Sequence, residues 1–296
     1  MAQQRSRHRS TRTPVIEARL DPTWQSPYSA SPFEVSVNEG ALAAAFKSQY
    51  FLGMALTAVG VVLLCAAVAL ALLGIIGAVT LLAGIAVLAH RAVTMTRWRH
   101  DSLVLADQIL SEFEPVADTV LRQRIGTIAE RLSATFGLAD VSCFIVKDSS
   151  VNATFLPLGD PGRWALIVTS GLLQEIELID LEGVVAHCMA RVRLRITDRR
   201  IVAAVSSLSR DKAHLLAGRD LAYRADEVAA AAIRYPLGIA RALEFCAQNH
   251  ATSGYFVSPS FEKHRWVWFD QYADGATGPE GDLDRADVRA RALLEW

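Results

Sequence analysis

Residues 51–89 carry no charged side chain, and apolar residues fill every face that a helix through them would present. As one helix the run would be about 58 Å long, against a bilayer hydrocarbon core of about 30 Å. The length therefore predicts two spans, about 51–72 and 76–90, joined by a tight turn near Gly74-Ile75-Ile76-Gly77. Gly53, Gly60, Gly74, Gly77 and Gly84, with many alanines, would let the two helices approach closely. Beyond the run the apolar positions take helical spacing (Leu103, Ile109, Phe113, Val120, Ile125, Ile128, Leu132), which predicts one long or broken helix from about 99 to 136 with Gly137 as its stop. The pattern then shortens. Val141 to Val146 (VSCFIV) and Trp164 to Thr169 (WALIVT) read as strands, separated by Asn152-Ala153-Thr154 and a turn at 159–162.

Helical spacing returns at Gly171 to Glu177 and most clearly at Asp180 to Val192, where Leu181, Val184, Val185, Met189 and Val192 mark a well-buried helix. Further helices are expected near 201–216, 222–233 and from Pro236 onward, with Ile239, Leu243 and Cys246 on one apolar face. Tyr255 to Trp268 is aromatic and expected to be extended. A glycine-rich acidic loop, 274–284, leads to a last amphipathic helix over 285–296.

Charge adds orientation. Residues 1–40 open with Arg5, Arg7, Arg9, Arg12 and Arg19 between scattered prolines, and are expected to be a disordered basic tail; the apolar segment begins too late for a signal peptide. Lys47 and the tail arginines flank one end of the hairpin, and Arg91, Arg97 and Arg99 the other, which predicts both termini and the main domain on the cytoplasmic side. The domain boundaries that follow are a tail at 1–40, a hairpin at 41–98 and a cytoplasmic domain at 99–296. The 296 residues carry a net charge of only -1, so no nucleic-acid partner is expected; the bilayer and a protein client or partner are. Cys65, Cys143, Cys188 and Cys246 are far apart and read as reduced, buried thiols.

The candidate chemistry lies in the buried helix. His187-Cys188-Met189-Ala190-Arg191 has the outline of an HExxH zinc motif, in which two histidines one turn apart grip the ion and the glutamate activates water. Here cysteine stands at the glutamate position and arginine at the second histidine. The order of motifs NAT (152–154), VTSGLL (168–173), DLEGVVAHCMARV (180–192) and LAYRAD (221–226) after a membrane hairpin resembles the HtpX-like and CAAX-prenyl-protease family of membrane zinc metallopeptidases. That resemblance implies an α+β, mostly helical fold: a two-span transmembrane hairpin followed by a zincin-like metallopeptidase domain with a small sheet. It puts Ala222 at the third zinc-ligand position, a glutamate in the family, and Asp226 at a supporting position. Arg289 and Leu293 echo, poorly, a C-terminal arginine motif of the family.

His187, Cys188, Arg191, Ala222 and Asp226 are therefore expected to be a vestigial active site, with zinc lost and no catalytic residue retained. One imidazole does not hold a catalytic zinc, and an arginine repels it: unit charges about 4 Å apart interact by roughly 4 kcal/mol at an effective dielectric near 20, and a divalent ion meets twice that. Arg191 is expected to pair with Asp226 or Glu227. A thiol enzyme is disfavoured because adjacent helical residues point about 100° apart, which leaves Cys188 dependent on His214, His250 or His264 as base. The expected function is an inactive membrane-anchored pseudopeptidase that binds a peptide or membrane-protein client or regulates a partner protease, with Trp164, Leu166 and Val168 as a peptide-binding strand. Two alternatives stand beside it. One is an active metalloendopeptidase drawing ligands from Glu175, Glu177, Glu182, His214 or Glu227. The other is a membrane assembly subunit docking through the aromatics of 255–269.

Overall fold

A computed structural model describes residues 32–66, 71–159, 162–206, 208–218, 221–249, 254–271 and 285–295. Two long helices, α1 (Pro32–Ala66) and α2 (Ala71–Ser111), form the hairpin, and both are long and apolar enough to cross a membrane. At 1.5 Å per residue they run about 52 and 62 Å, so each extends well past a bilayer core. The excess is built into the domain: Leu105, Ala106 and Ile109 of α2 are fully buried, and Leu42, Phe46 and Tyr50 of α1 pack against the same core.

Two boundaries move from those the sequence suggests. The first helix starts at Pro32, inside the expected tail, because its first turns are docked: Asn38 donates to the Leu194 carbonyl at 2.8 Å and accepts from Arg199 at 2.7 Å, while Glu34 pairs with Arg224. Proline suits a first helical position, where its missing N–H is not needed. Residues 1–31 lie outside the described residues. α1 ends at Ala66 and α2 is already helical from Ala71, so Gly74 to Gly77 are helical and the break expected at 72–76 lies inside α2. The glycines serve packing instead: a Cβ on Gly60 would lie 2.5 Å from the Leu81 amide nitrogen, and one on Gly84 would lie 2.6 Å from that of Thr57. The boundary placed at residue 98 also disappears, since α2 crosses it without a break.

Helix α3 (Thr119–Phe136) is capped by the Asp118 carboxylate and ends at Gly137, whose φ of 66° closes the last turn, as expected. The sheet has three strands in the order β1-β3-β2: β1 (Val141–Val146) runs parallel to β3 (Trp164–Thr169), and β2 (Ala153–Pro157) runs antiparallel to it. The unpredicted strand is β2, whose Asn-Ala-Thr opening reads as a turn. Leu166 and Val168 face one core and Ala165 and Ile167 the other, so β3 is buried on both faces.

Helices α4 (Ser170–Glu175), α5 (Leu178–Arg193), α6 (Ile196–Val205), α7 (Arg210–Ala217), α8 (Leu221–Ile233) and α9 (Pro236–Gln248) follow. The aromatic segment is not extended. It forms turns at Tyr255–Val257 and Arg265–Val267 around α10 (Pro259–His264), which the Ser258 hydroxyl caps. Tyr255, Phe256, Phe261, Trp266, Trp268 and Phe269 are all buried, so they close the core rather than offer a docking face. The acidic loop expected at 274–284 lies outside the described residues, and α11 (Ala286–Leu294) follows it.

Candidate functional site

His187 and Arg191 sit one turn apart on α5, on the side facing the C-terminal segments. Both are essentially without solvent contact, as is Asp226 on α8. His187 Nδ1 lies 2.6 Å from Asp226 Oδ1. An approach that close to a carboxylate oxygen requires a proton between them, so Nδ1 carries it and donates. Arg289 of α11 closes the network, with Nε 2.8 Å from Asp226 Oδ2 and Nη2 2.8 Å from Oδ1, a two-toothed ion pair. Its Nη1 donates to the Phe269 carbonyl at 3.0 Å, and its guanidinium lies over the Phe269 ring. Three helices are thereby tied at one carboxylate.

The electrostatics follow from burial and charge. Burial lowers the His187 pKa to about 3, aided by Arg289 and opposed by Asp226, so the imidazole is neutral. Burial alone would raise that of Asp226, but Arg289 and the hydrogen-bonded His187 hold the carboxyl at about 2. The second ring nitrogen, His187 Nε2, is buried without a hydrogen-bond partner among the described residues.

Arg191 does not make the ion pair expected of it with Asp226 or Glu227. Asp226 is engaged by His187 and Arg289, and Glu227 by Arg224. Arg191 instead donates to backbone carbonyls, Nη1 to Trp268 at 3.1 Å and Nη2 to Trp266 at 3.3 Å. Its partners come from a segment whose position across the sheet edge is not visible in local sequence. Cys188 is buried, and burial pushes its thiol up to about 11, far from a thiolate at neutral pH. Of the suggested bases for it, His264 contacts Tyr255, His214 meets the Trp266 ring edge-on, and His250 lies outside the described residues. Ala222 is fully buried on α8 and supplies no donor atom.

The expected peptide-binding strand, Trp164 with Leu166 and Val168, is the central strand of the sheet. Both its edges are already paired, by β1 and β2, so no further strand can add to it. Among the described residues no group of three or more His, Cys, Asp or Glu side chains could hold a metal ion. Glu182 pairs with Arg131, and Glu175 and Glu177 line a separate surface groove.

No protein-family model matches the chain. Among curated proteins it is similar to the protein named Protease HtpX homolog of Dictyoglomus thermophilum, 26% identical over 186 residues that cover 49% of this chain and 61% of that protein. The protein of the same name from Dictyoglomus turgidum is 29% identical over 162 residues, 41% of this chain and 53% of the relative. That of Acaryochloris marina is 36% identical over 77 residues, 26% of each. Over these regions the chain is similar to HtpX-like proteins. The matched regions reach about half to three fifths of the length of the first two relatives. With its two candidate membrane helices, the HtpX-like chain is a membrane protein.

Two residues of this HtpX-like site carry more than local sequence suggests. Arg289 falls on the buried stripe of α11 with Ala286, Ala290 and Leu293, and a charge on an apolar stripe is the signal that it needs a buried partner. Phe269 meets the His187 ring edge-on at 5.1 Å between centroids and gives its carbonyl to Arg289; nothing in its local sequence separates it from its aromatic neighbours.

Proposed function

We propose that this HtpX-like chain is a catalytically inactive, membrane-anchored pseudopeptidase that acts by binding a protein partner, either a client membrane protein or an active protease. The observation that carries this reading is Arg191. One turn after His187, where an HExxH site needs its second imidazole, a buried guanidinium is spent on the carbonyls of Trp266 and Trp268. His187 itself is still oriented as a metal-bound histidine would be, Nδ1 on a carboxylate and Nε2 unpartnered. The donor set nevertheless does not fit a catalytic zinc, which takes three protein ligands: Arg191 and Ala222 offer no lone pair, and Cys188 is one residue and about 100° round the helix from His187. Nor is there a carboxylate at the general-base position, where Cys188 stands as a protonated, core-filling thiol.

On this reading the domain is zincin-like, with α5 packed beneath a sheet whose edge strand is antiparallel. Both termini and the domain lie on the cytoplasmic side, as the placement of Lys47, Arg91, Arg97 and Arg99 favours. Partners bind the outer surface, because β3 is closed on both edges.

The competing reading is an active metalloprotease, favoured by the name Protease HtpX homolog that the relatives carry and by the bare Nε2 of His187. Zinc content and casein hydrolysis, measured on one detergent-purified sample, separate the two. The proposal expects substoichiometric zinc and no hydrolysis. Stoichiometric zinc that disappears in His187→Ala would overturn it.

A further inference from the structure

The segment Trp266–Asp270 lies across the outer edge of β2, with Trp268 opposite Thr154 in an antiparallel bridge. The Phe269 amide donates to the Ala153 carbonyl at 2.8 Å. Each of the five carbonyls from 266 to 270 accepts a hydrogen bond from a side chain of the site. Arg191 reaches those of Trp266 and Trp268, and Thr154 that of Val267 at 2.8 Å. Arg289 reaches that of Phe269 at 3.0 Å, and Asn152 that of Asp270 at 2.9 Å while accepting the Asp270 amide at 3.0 Å. A strand edge flanked by such donors, Arg191 from α5 and Arg289 from α11, recognises main chain, and main chain is what an added peptide offers a sheet.

We infer that the β2 edge, with Asn152, Thr154, Arg191 and Arg289 around it, is a main-chain-binding site whose resident occupant is this chain's own segment Trp266–Asp270, which leaves the turn at Arg265–Val267 and meets the edge at Trp268. The occupant covers His187 with the Phe269 ring and buries Val267, Trp268 and Phe269 completely. External strands are therefore excluded from the edge beside His187. Occupancy in cis is a separate matter from whether a metal binds there, so its tests read amide exchange and peptide binding rather than zinc or proteolysis.

Hydrogen exchange on the full-length protein in detergent should find the Phe269 and Asp270 amides as slow as those of β3. Arg191→Met should speed exchange across 266–270 by about tenfold or more while leaving α3 unchanged. Exchange of Phe269 and Asp270 at exposed-loop rates in the wild type would remove the occupant. In a second measurement, a labelled peptide of the sequence Arg265 to Gln271 is titrated onto the protein. The wild type should not bind it, and a Trp268→Gly/Phe269→Gly variant should. Saturable binding by the wild type with its 266–270 amides still protected would refute closure of the edge. Should the double variant not fold, exchange in the wild type and in Arg191→Met decides the matter alone.

Discussion

The two sides of the His187 ring differ in how they are held. Behind Nδ1 every polar atom has a partner: Asp226, Arg289 and the Phe269 carbonyl form a closed network joining α5, α8 and α11. Nε2 has no hydrogen-bond partner among the described residues, and Arg191, one turn along α5, is turned to the backbone. A buried carboxylate is tolerable only while its cation is present, so the network behind the ring is a condition of folding whatever the site does. Cys188, Ala222 and Arg191 impose no such demand. Cysteine and alanine fill space there with little polar cost, and an arginine is accommodated once carbonyls receive it.

That contrast predicts a steep gradient in mutational cost. Arg289→Met leaves Asp226 buried without its cation and should lose about 3–5 kcal/mol of stability, read as a lowered unfolding midpoint in detergent. A loss under about 1 kcal/mol would mean that the network is ornamental. Acid attacks the same region. His187 is held neutral in the fold, at about 3 against an ordinary 6.5, so the unfolded chain protonates first; its contribution is intact above pH 6.5 and falls away down to about 3. Asp226, held at about 2 against 3.8, adds stability that is intact above pH 3.8 and is lost as the pH drops toward 2. Each group contributes a slope of at most about 1.4 kcal/mol per pH unit in its window. Unfolding midpoints recorded from pH 7 to 3 should fall accordingly, and His187→Phe should flatten the upper part of that curve.

Smaller effects sharpen the comparison. Gly60→Ala forces a methyl toward the Leu81 backbone and should cost about 1–3 kcal/mol, seen as loosened hairpin packing by cross-linking between α1 and α2. Cys188→Ala, outside that network, removes only a buried sulfur and should cost about 1 kcal/mol in the same unfolding assay. A Cys188 penalty equal to that of Arg289 would erase the distinction between the two sides.

Much of this was legible in the chain. The limits of β1 and β3, the stop at Gly137 and the presence of two long apolar spans follow from period and length. The misplaced features share a cause. Gly74 to Gly77 resemble a turn, yet glycine equally permits close helix approach, and only the neighbouring helix decides between them. β2 is short, begins with Asn-Ala-Thr, and owes its strand to β3 beside it. Arg191 and Arg289 are both buried cations, and nothing local says which receives the carboxylate.

Hydrophobic period and length by themselves therefore determined the membrane hairpin, the helical domain and the histidine at its centre, because those depend on neighbours one to four residues apart. Tertiary structure alone decided which arginine holds Asp226, which strand is central and which segment covers the edge. Those choices join residues 7 to 118 positions apart, and partner geometry rather than propensity sets them.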